Sequence, residues 1–359
     1  MRNLGISIYP QYGTEKELVN YMEKASEYGF SRIFTCLMSA NDDKDVQQLQ
    51  QLLKKANELG FEVIADVSPT VFADKNLSYK DLSYFKELGL SGLRLDMGFS
   101  GAEESIMSFN EHGLAIELNM SQGTKYLDQI LSYQPNKQQI IGCHNFYPRR
   151  YTALSREHFL KCSAQYKDQG IRTAAMISSK HAAFGPWPVQ EGLPTLEEHR
   201  GLAIDVQAKD LFQTGLIDDL IIGNMFASDE ELKSLSLLNR YLLELKVEFK
   251  EQTTAVEKEI VLAKGHFNRG DVSAYVIRST QTRVDFAHEE FPAHNTEPIT
   301  RGDVTIDNVG YARYKGELHL ARKDMDNSGN TNIVATIDKD EQFLLDHVHP
   351  WQKFKLIEK

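Results

Sequence analysis

The amino-acid sequence predicts a (β/α)8 TIM barrel followed by a small antiparallel β-barrel domain. Six times in the first two-thirds of the chain, a polar, helix-like run ends in glycine, an apolar residue follows, and a short apolar strand begins. A glycine just past a helix adopts the left-handed conformation that closes the last turn, and the next residue re-enters the core. This recurrence, at the spacing of a strand plus a crossover helix, predicts parallel strands closed into a barrel. The six copies are Gly29-Phe30, Gly60-Phe61, Gly89-Leu90, Gly113-Leu114, Gly170-Ile171 and Gly215-Leu216.

Eight short apolar segments match the strand count of this barrel. They are Leu4 to Tyr9, Arg32 to Leu37, Glu62 to Val67, Gly92 to Asp96, Ala115 to Asn119, Gln139 to His144, Arg172 to Ile177 and Asp219 to Asn224. Capping boxes predict three helix starts, because a hydroxyl accepts a hydrogen bond from a free amide and a later acid reaches back. The three pairs are Thr14 with Glu17, Thr195 with Glu198 and Ser228 with Glu231. Leucines at helical spacing predict a last helix, from about Asp229 to Phe249, docked on the barrel wall.

The chain has 359 residues, which exceeds the roughly 250 residues typical of one barrel. After Lys250 the sequence changes, and glycines separate short runs rich in β-branched residues. This sequence pattern is typical of a small antiparallel β domain. We therefore predict a catalytic barrel over residues 1–250 and a β domain over residues 251–359.

Composition limits the classes of partner. Acidic residues outnumber basic ones by 51 to 40, and the net charge of −11 opposes general binding to nucleic acid or to an anionic membrane. The expected partner is a small molecule, and a homo-oligomer is compatible with the sequence. The amino terminus, MRNLGISIYP, has no apolar run long enough for a signal peptide, so a cytoplasmic location is predicted. The three cysteines lack metal-ligand spacing and are expected to be reduced, and neither a metal site nor a cofactor is predicted.

Polar residues at the carboxyl ends of the strands are the leading active-site candidates, because barrel enzymes build their sites there. Strand four ends in LRLD (93–96), and its alternation points Arg94 and Asp96 into the barrel. By the same reasoning, Glu117 and Asn119 of strand five point inward beside them. Asp66 closes the neighbouring third strand. These side chains are predicted to share one small volume.

Two carboxyl groups across a barrel mouth, one protonated and one ionised, are the groups that hydrolyse a glycosidic bond. We predict Asp96 and Glu117 as this catalytic pair, with Glu117 as the proton donor because the deeper group is more easily kept neutral. Asp66 is the third candidate. Two structural alternatives stay open: an Arg94–Glu117 ion pair that fills the barrel interior, and a loop-capping role for Asp66.

Substrate recognition is predicted in the loops that follow the later strands. Strand six exits into HNFYPRRY (144–151), where an amide and aromatic rings suit a sugar, and guanidinium groups suit a phosphate or carboxylate. Lys180, after strand seven, lies at a common phosphate position of this fold. In the alternative interpretation, these basic residues are ordinary solvated side chains. The predicted substrate-binding residues are Tyr9, Arg94, Asn119, His144, Asn145, Tyr147, Arg149, Arg150, Ser178, Lys180 and Asn224.

Two Arg-Gly-Asp turns in the β domain, at 269–271 and 301–303, resemble each other. Most such turns only connect strands. As an additional hypothesis, Arg269, Arg301 and Arg313 reach over the barrel mouth and bind a phosphate.

Several segments resemble those of the MupG-type 6-phospho-N-acetylmuramidases, and the resemblance covers the whole chain. They are GISIYP (5–10), RLDMGFSG (94–101), ELNMS (117–121), CHNFYPRR (143–150), GLPTLEEHR (192–200), RGDVTIDN (301–308) and YARYKGELHLA (311–321). The resemblance implies a cytoplasmic glycosidase with an amino-terminal barrel and a carboxyl-terminal cyclophilin-like domain. It implies cleavage of phosphorylated N-acetylmuramic acid from N-acetylglucosamine in peptidoglycan recycling. The N-acetyl group of such a substrate also permits a route in which a carboxylate orients the acetamido oxygen as the nucleophile.

Other function classes stay open at this point. A sugar-phosphate isomerase or aldolase needs a Schiff-base lysine or a metal cluster at a strand end, and the strands offer neither clearly. A non-catalytic phosphosugar-binding protein would keep the arginines but would not need inward acids. A structural surface protein would need an export signal.

Overall fold

The computed structural model describes residues 2–37 and 43–359, which form two compact units that divide between Leu238 and Asn239. The first unit is a closed barrel of eight parallel strands in sequence order, as predicted. All eight predicted strand segments are confirmed, with small differences at their ends. The strands are β1 (Asn3–Ser7), β2 (Arg32–Cys36), β3 (Glu62–Val67), β4 (Gly92–Leu95), β5 (Ala115–Asn119), β6 (Ile140–Cys143), β7 (Arg172–Ile177) and β8 (Asp219–Ile222).

Helices connect successive strands of the barrel. They are α1 (Glu15–Glu27), α2 (Asp43–Glu58), α3 (Pro69–Asp74), α4 (Ser83–Glu87), α5 (Ala102–Met107), α6 (Tyr126–Ser132), α7 (Arg156–Lys167), α8 (Ile204–Gln213) and α9 (Asp229–Ser236). The predicted glycine pattern is confirmed, because all six glycines have φ values between 69° and 96°. A side chain is strained in this left-handed region, which is why glycine recurs at each helix end.

Two of the three predicted capping boxes are present, at the starts of α1 and α9. The prediction of a capping box at Thr195 is wrong. Thr195 is buried, and its hydroxyl donates to the carbonyl of Asn145 at 2.9 Å and accepts from the amide of Met176 at 2.9 Å. The hydroxyl therefore joins β7 to the loop after β6 instead of starting a helix.

The predicted helix over Asp229 to Phe249 is also wrong beyond its first turns. Helix α9 ends at Ser236, and residues Leu243–Phe249 form strand β9 of the second unit. Burial in β9 alternates, with Leu243, Leu245 and Val247 inside, so the period is that of a strand. The division between the units consequently lies before the predicted boundary at residue 250.

The second unit also contains α10 (Ala255–Val261), β10 (His266–Phe267), β11 (Val276–Ser279), α11 (Thr282–Asp285), β12 (Asp303–Asp307), β13 (Leu318–Ala321), β14 (Thr331–Ile337) and β15 (Lys353–Glu358). Its strands form a nearly closed, seven-stranded sheet in the order β10-β15-β9-β14-β12-β13-β11. Most neighbouring strands pair antiparallel, as predicted, whereas β9 and β15 pair in parallel. The two edges of the sheet approach each other beside β10 and β11, where the Arg269 amide donates to the Arg278 carbonyl at 3.0 Å.

Among the described residues, no helix combines the length and apolar character needed to cross a bilayer.

Candidate active site

A buried layer of charged residues fills the barrel interior. Arg32 of β2 contacts Glu117 of β5, and its Nη1 lies 2.7 Å from Oδ2 of Asp219 on β8. Arg172 of β7 adds a contact of 2.6 Å to the same Asp219 oxygen. Arg32, Glu117 and Asp219 are all at most 1% exposed. This network crosses the barrel between strands that are not neighbours.

A second charged cluster surrounds Arg94 at the carboxyl ends of β3 and β4. The strand register places Asp66 directly beside Arg94. Nη1 of Arg94 lies 3.0 Å from Oδ1 of Asp66 and 3.3 Å from Oδ1 of Asp96, and Nη2 donates to Oδ1 of Asn145. Two strand-end carboxylates therefore bind the same guanidinium nitrogen.

The two carboxylates have different surroundings. The Asp66 side chain is 16% exposed, whereas the Asp96 side chain is 46% exposed. Burial raises the pKa of Asp66 above its ordinary value, and the Arg94 charge opposes this shift while the Asp96 charge adds to it. One carboxyl of the pair is thus biased toward its protonated form, and the other faces solvent.

Asn119 of β5 orients Asp96. Its Nδ2 donates to Oδ1 of Asp96 at 3.1 Å, while its Oδ1 accepts from the amide of Ser121 at 2.9 Å. Asp96 therefore has two donors, the Arg94 guanidinium and the Asn119 amide, that stabilise its charge.

Glu117 does not fit the predicted role of proton donor. Its side chain is fully buried, contacts Arg32, and has Oε1 3.8 Å from Nε of Arg94. Two guanidinium groups beside one carboxylate favour the anion, and a substrate cannot reach a group without exposed surface. The open alternative of a structural ion pair describes Glu117 better, with Arg32 as its closer partner.

His144 lies beneath the loop that carries Asn145. Both ring nitrogens face buried serines, with Nδ1 3.2 Å from Oγ of Ser121 and Nε2 2.8 Å from Oγ of Ser163. The Ser121 hydroxyl in turn accepts from the amide of Asn145 at 2.8 Å. Burial lowers the pKa of His144 to about 3, so the imidazole is neutral and supports the loop instead of touching a substrate.

We expect His144 to stay neutral throughout the range in which ordinary histidines titrate. Because the folded-state pKa is lowered from 6.5 to about 3, the unfolded chain binds more protons between these values, and His144 makes stability fall as pH drops through this window. Imidazole ¹⁵N chemical shifts between pH 5 and 8 measure this directly. A His144 titration near pH 6.5 would contradict the assignment.

Comparison with known proteins identifies the family. The model for the N-terminal domain of 6-phospho-N-acetylmuramidase matches residues 4–237, and the model for its C-terminal domain matches residues 243–357. The chain belongs to the 6-phospho-N-acetylmuramidase family. An uncharacterized B. cereus protein of solved structure is 47% identical to this family member, with 99% of each chain covered and a TM-score of 0.92. A conserved Enterococcus faecalis protein of unknown function is 26% identical over 99% of this chain and 96% of its own, with a TM-score of 0.72. No curated protein matches the chain.

Three residues predicted to bind substrate have structural contacts in this 6-phospho-N-acetylmuramidase family member. The Tyr9 hydroxyl is buried and donates to the Gly223 carbonyl at 2.6 Å. The Ser178 hydroxyl accepts from the Leu193 amide at 2.9 Å. Asn224 holds Ser179, accepting from its amide and donating to its carbonyl, each at 2.8 Å. These side chains fix the loops after β7 and β8.

The loop after β6 carries three of the residues predicted to bind substrate that are at least partly accessible in the family member. Tyr147 is partly buried; burial and the Asp96 charge raise the pKa of its hydroxyl, while Ser121 and the Arg94 charge lower it. Arg149 is exposed, and its guanidinium has no partner among the described residues. Arg150 is different, since its Nε lies 3.5 Å from Glu191.

Lys180, in the loop after β7, is exposed as well. Its amide donates to Glu231 at 2.8 Å, while its ammonium has no partner within the described parts of the chain. Arg149 and Lys180 are therefore the two basic groups of these loops that are available to a ligand anion.

The second-unit arginines differ among themselves. Both terminal guanidinium nitrogens of Arg301 have partners. They donate to the carbonyls of Arg322 and Gln342, and the guanidinium pairs with Asp346 at 2.9 Å. Arg269 contacts Asp271. Arg313 is exposed. The contacts of Arg301 are those of a residue that ties the sheet together, and the phosphate hypothesis for these arginines remains a prediction.

Sequence reasoning missed two residues that hold the site loops. Glu104 is buried, contacts the Phe99 amide and the Tyr126 hydroxyl, and accepts from the Gly101 amide at 2.7 Å, so it fixes the loop after Asp96. Arg200 donates to the carbonyls of Tyr147 and Glu191 at 3.0 and 2.8 Å. Both lie in or beside motifs quoted above, and motif membership was the only available signal for them.

Proposed function

We propose that this chain hydrolyses the bond between 6-phospho-N-acetylmuramic acid and N-acetylglucosamine in cytoplasmic peptidoglycan recycling, with Asp66 and Asp96 as the catalytic carboxyls. The observation that supports this proposal is the pair of strand-end carboxylates bound to one nitrogen of Arg94 in different surroundings. Glycosidases need one carboxyl that donates a proton and one that is ionised. Asp66 replaces Glu117 in the role of proton donor.

In this mechanism, Asp66 protonates the glycosidic oxygen as the bond to the anomeric carbon breaks, and the leaving sugar departs with a new hydroxyl. Its raised pKa favours the protonated form that this step requires. Asp96, which accepts from Arg94 and Asn119, stabilises the positive charge that develops at the anomeric centre. Water then completes the hydrolysis and returns a proton to Asp66.

Arg94 couples the two carboxyls. Burial alone would lower its pKa, but the charges of Asp66 and Asp96 hold it above the ordinary value, so the guanidinium stays charged. A fixed cation can stabilise Asp66 as soon as that group has lost its proton, without any reorganisation.

The phosphate is proposed to bind Arg149 and Lys180. Replacing either with alanine is expected to lower kcat/KM for the phosphorylated disaccharide by about 10- to 100-fold, because one charge-assisted hydrogen bond is lost. The rate with the unphosphorylated disaccharide should stay nearly unchanged. Arg150→Ala is the matched control, since Arg150 is the neighbouring arginine and already pairs with Glu191. Equal losses with both substrates would remove these residues from phosphate recognition.

The decisive experiment is incubation of the protein with the phosphorylated and unphosphorylated disaccharides, followed by measurement of free N-acetylglucosamine. Release from the phosphorylated compound supports the proposal, and the ¹H NMR spectrum of the first-formed anomer then separates retention from inversion. Tight binding without release would instead indicate a phosphosugar-binding protein.

A further inference from the structure

The second unit contains a cavity that the proposed hydrolase function does not use. Its volume is about 350 Å³, which lies within the range of about 300–1,000 Å³ for small-molecule sites. Strands β11, β12 and β13 supply its polar wall, and Tyr311 and Tyr314 line it with rings that are 41% and 49% exposed. Ile299 and Met325 form an apolar side.

Asp307 supplies a buried acceptor in this cavity. The residue is only 6% exposed, and Oδ1 accepts from the Thr331 hydroxyl at 3.0 Å. Within the described residues, Oδ2 has no hydrogen-bond donor. Burial raises the pKa of Asp307, while His319 opposes the shift. Oδ2 is thus left to accept from a donor that a ligand brings into the cavity.

The His319 imidazole lies beside Asp307 in this wall. Its Nε2 lies 3.2 Å from Oε1 of Glu317, so this nitrogen carries a proton, and Nδ1 is left for a hydrogen bond with a ligand. Nδ1 is 4.0 Å from Oδ1 of Asp307, too far for a direct hydrogen bond. Glu317 itself is neutralised by Arg278 at 3.2 Å and Arg283 at 2.9 Å. The wall therefore presents the Asp307 carboxylate and the His319 imidazole to a polar ligand.

We propose that this cavity binds a neutral saccharide. Of two neighbouring hydroxyls of a pyranose ring, one donates to Asp307 and the other hydrogen-bonds with Nδ1 of His319, and the apolar face of the ring packs on Tyr311 and Tyr314. Polar groups that converge on a hydroxyl-rich ligand, next to exposed aromatic rings, satisfy both the polar edge and the apolar face of a sugar. An anionic ligand is disfavoured by the unpaired carboxylate oxygen. This inference is independent of the hydrolase proposal.

The test is a titration of the full chain, labelled at Ile and Met methyl groups, with N-acetylglucosamine. Saturable shifts of the Ile299 and Met325 signals are expected in the unmodified protein and equally in Asp96→Asn, whose altered group lies in the barrel. Asp307→Asn, which keeps the bond to Thr331, should weaken binding by about tenfold or more.

Tyr311→Ala serves as the second variant, because the ring is exposed and its removal leaves the sheet intact; it should also weaken binding about tenfold. Shifts that vanish in Asp96→Asn, or that persist unchanged in both cavity variants, would overturn the proposal. Saturation by methylammonium but not by the sugar would do the same, since it would identify an amine site.

Discussion

Replacing Asp66 or Asp96 with asparagine is expected to lower kcat for the phosphorylated disaccharide by about 10²- to 10⁴-fold, the usual contribution of a positioned acid or base. Asparagine keeps the size of each side chain and its capacity to accept from Arg94 at 3.0 or 3.3 Å. Asp66→Asn cannot donate a carboxyl proton, and Asp96→Asn cannot offset positive charge at the anomeric carbon. Initial rates of N-acetylglucosamine release measure both losses.

Asp128→Asn is the control, because Asp128 is a half-exposed carboxylate on α6 that pairs with Lys125. Its rate should equal that of the unmodified protein. Unchanged activity in both Asp66→Asn and Asp96→Asn would eliminate the proposed pair.

The pH profile distinguishes the roles of the two carboxyls. Asp66 works in its protonated form, so activity should fall as pH rises through a pKa above the ordinary aspartate value. The Asp96 charge contributes to this raised pKa. The residual activity of Asp96→Asn should therefore fall at a lower pH than that of the unmodified protein, and a fall at higher pH would contradict the assignment.

The barrel could be predicted because its signal is local and repeated. Each of the six glycines closes a helix by its own backbone conformation, whatever lies elsewhere in the chain. The boundary of the second unit was harder to predict than the barrel. The leucines of α9 and β9 together show a helical spacing, although a turn separates the two elements. In that turn, Asn239 accepts from the amides of Tyr241 and Leu242, both at 3.1 Å. A short polar turn of this kind competes with a helix without a strong sequence signal.

Part of the candidate site follows from strand alternation, and part does not. Alternation correctly brings Arg94, Asp96 and Asn119 together at one end of the barrel. Alternation does not predict how deeply the Glu117 side chain is buried, because this burial depends on which residues of the opposite strands contact it. Arg32 is 85 positions away and belongs to a strand that does not pair with β5. The stagger of a closed barrel sets such contacts.

Glu117→Gln is expected to destabilise the barrel by roughly 3–5 kcal/mol, because it leaves Arg32 with one buried carboxylate fewer. The carboxylate and the guanidinium are both at most 1% exposed, so water cannot replace the lost partner. Folded Glu117→Gln protein should keep most of its activity, in contrast to the Asp66 and Asp96 variants. Urea unfolding monitored through Trp187 of the barrel, in a Trp351→Phe background, measures the free energy separately from the rate.

A double-mutant cycle separates the ion pair from other effects of the substitution. Arg32→Met alone should be at least as destabilising as Glu117→Gln, since it removes one buried partner from both Glu117 and Asp219. The double variant should cost less than the two single variants together, by about 0.5–3 kcal/mol, because the contact is counted only once. Normal stability of Glu117→Gln combined with a loss of activity as large as that of Asp66→Asn would make Glu117 the proton donor. Asp66 would then be left with the loop-capping role.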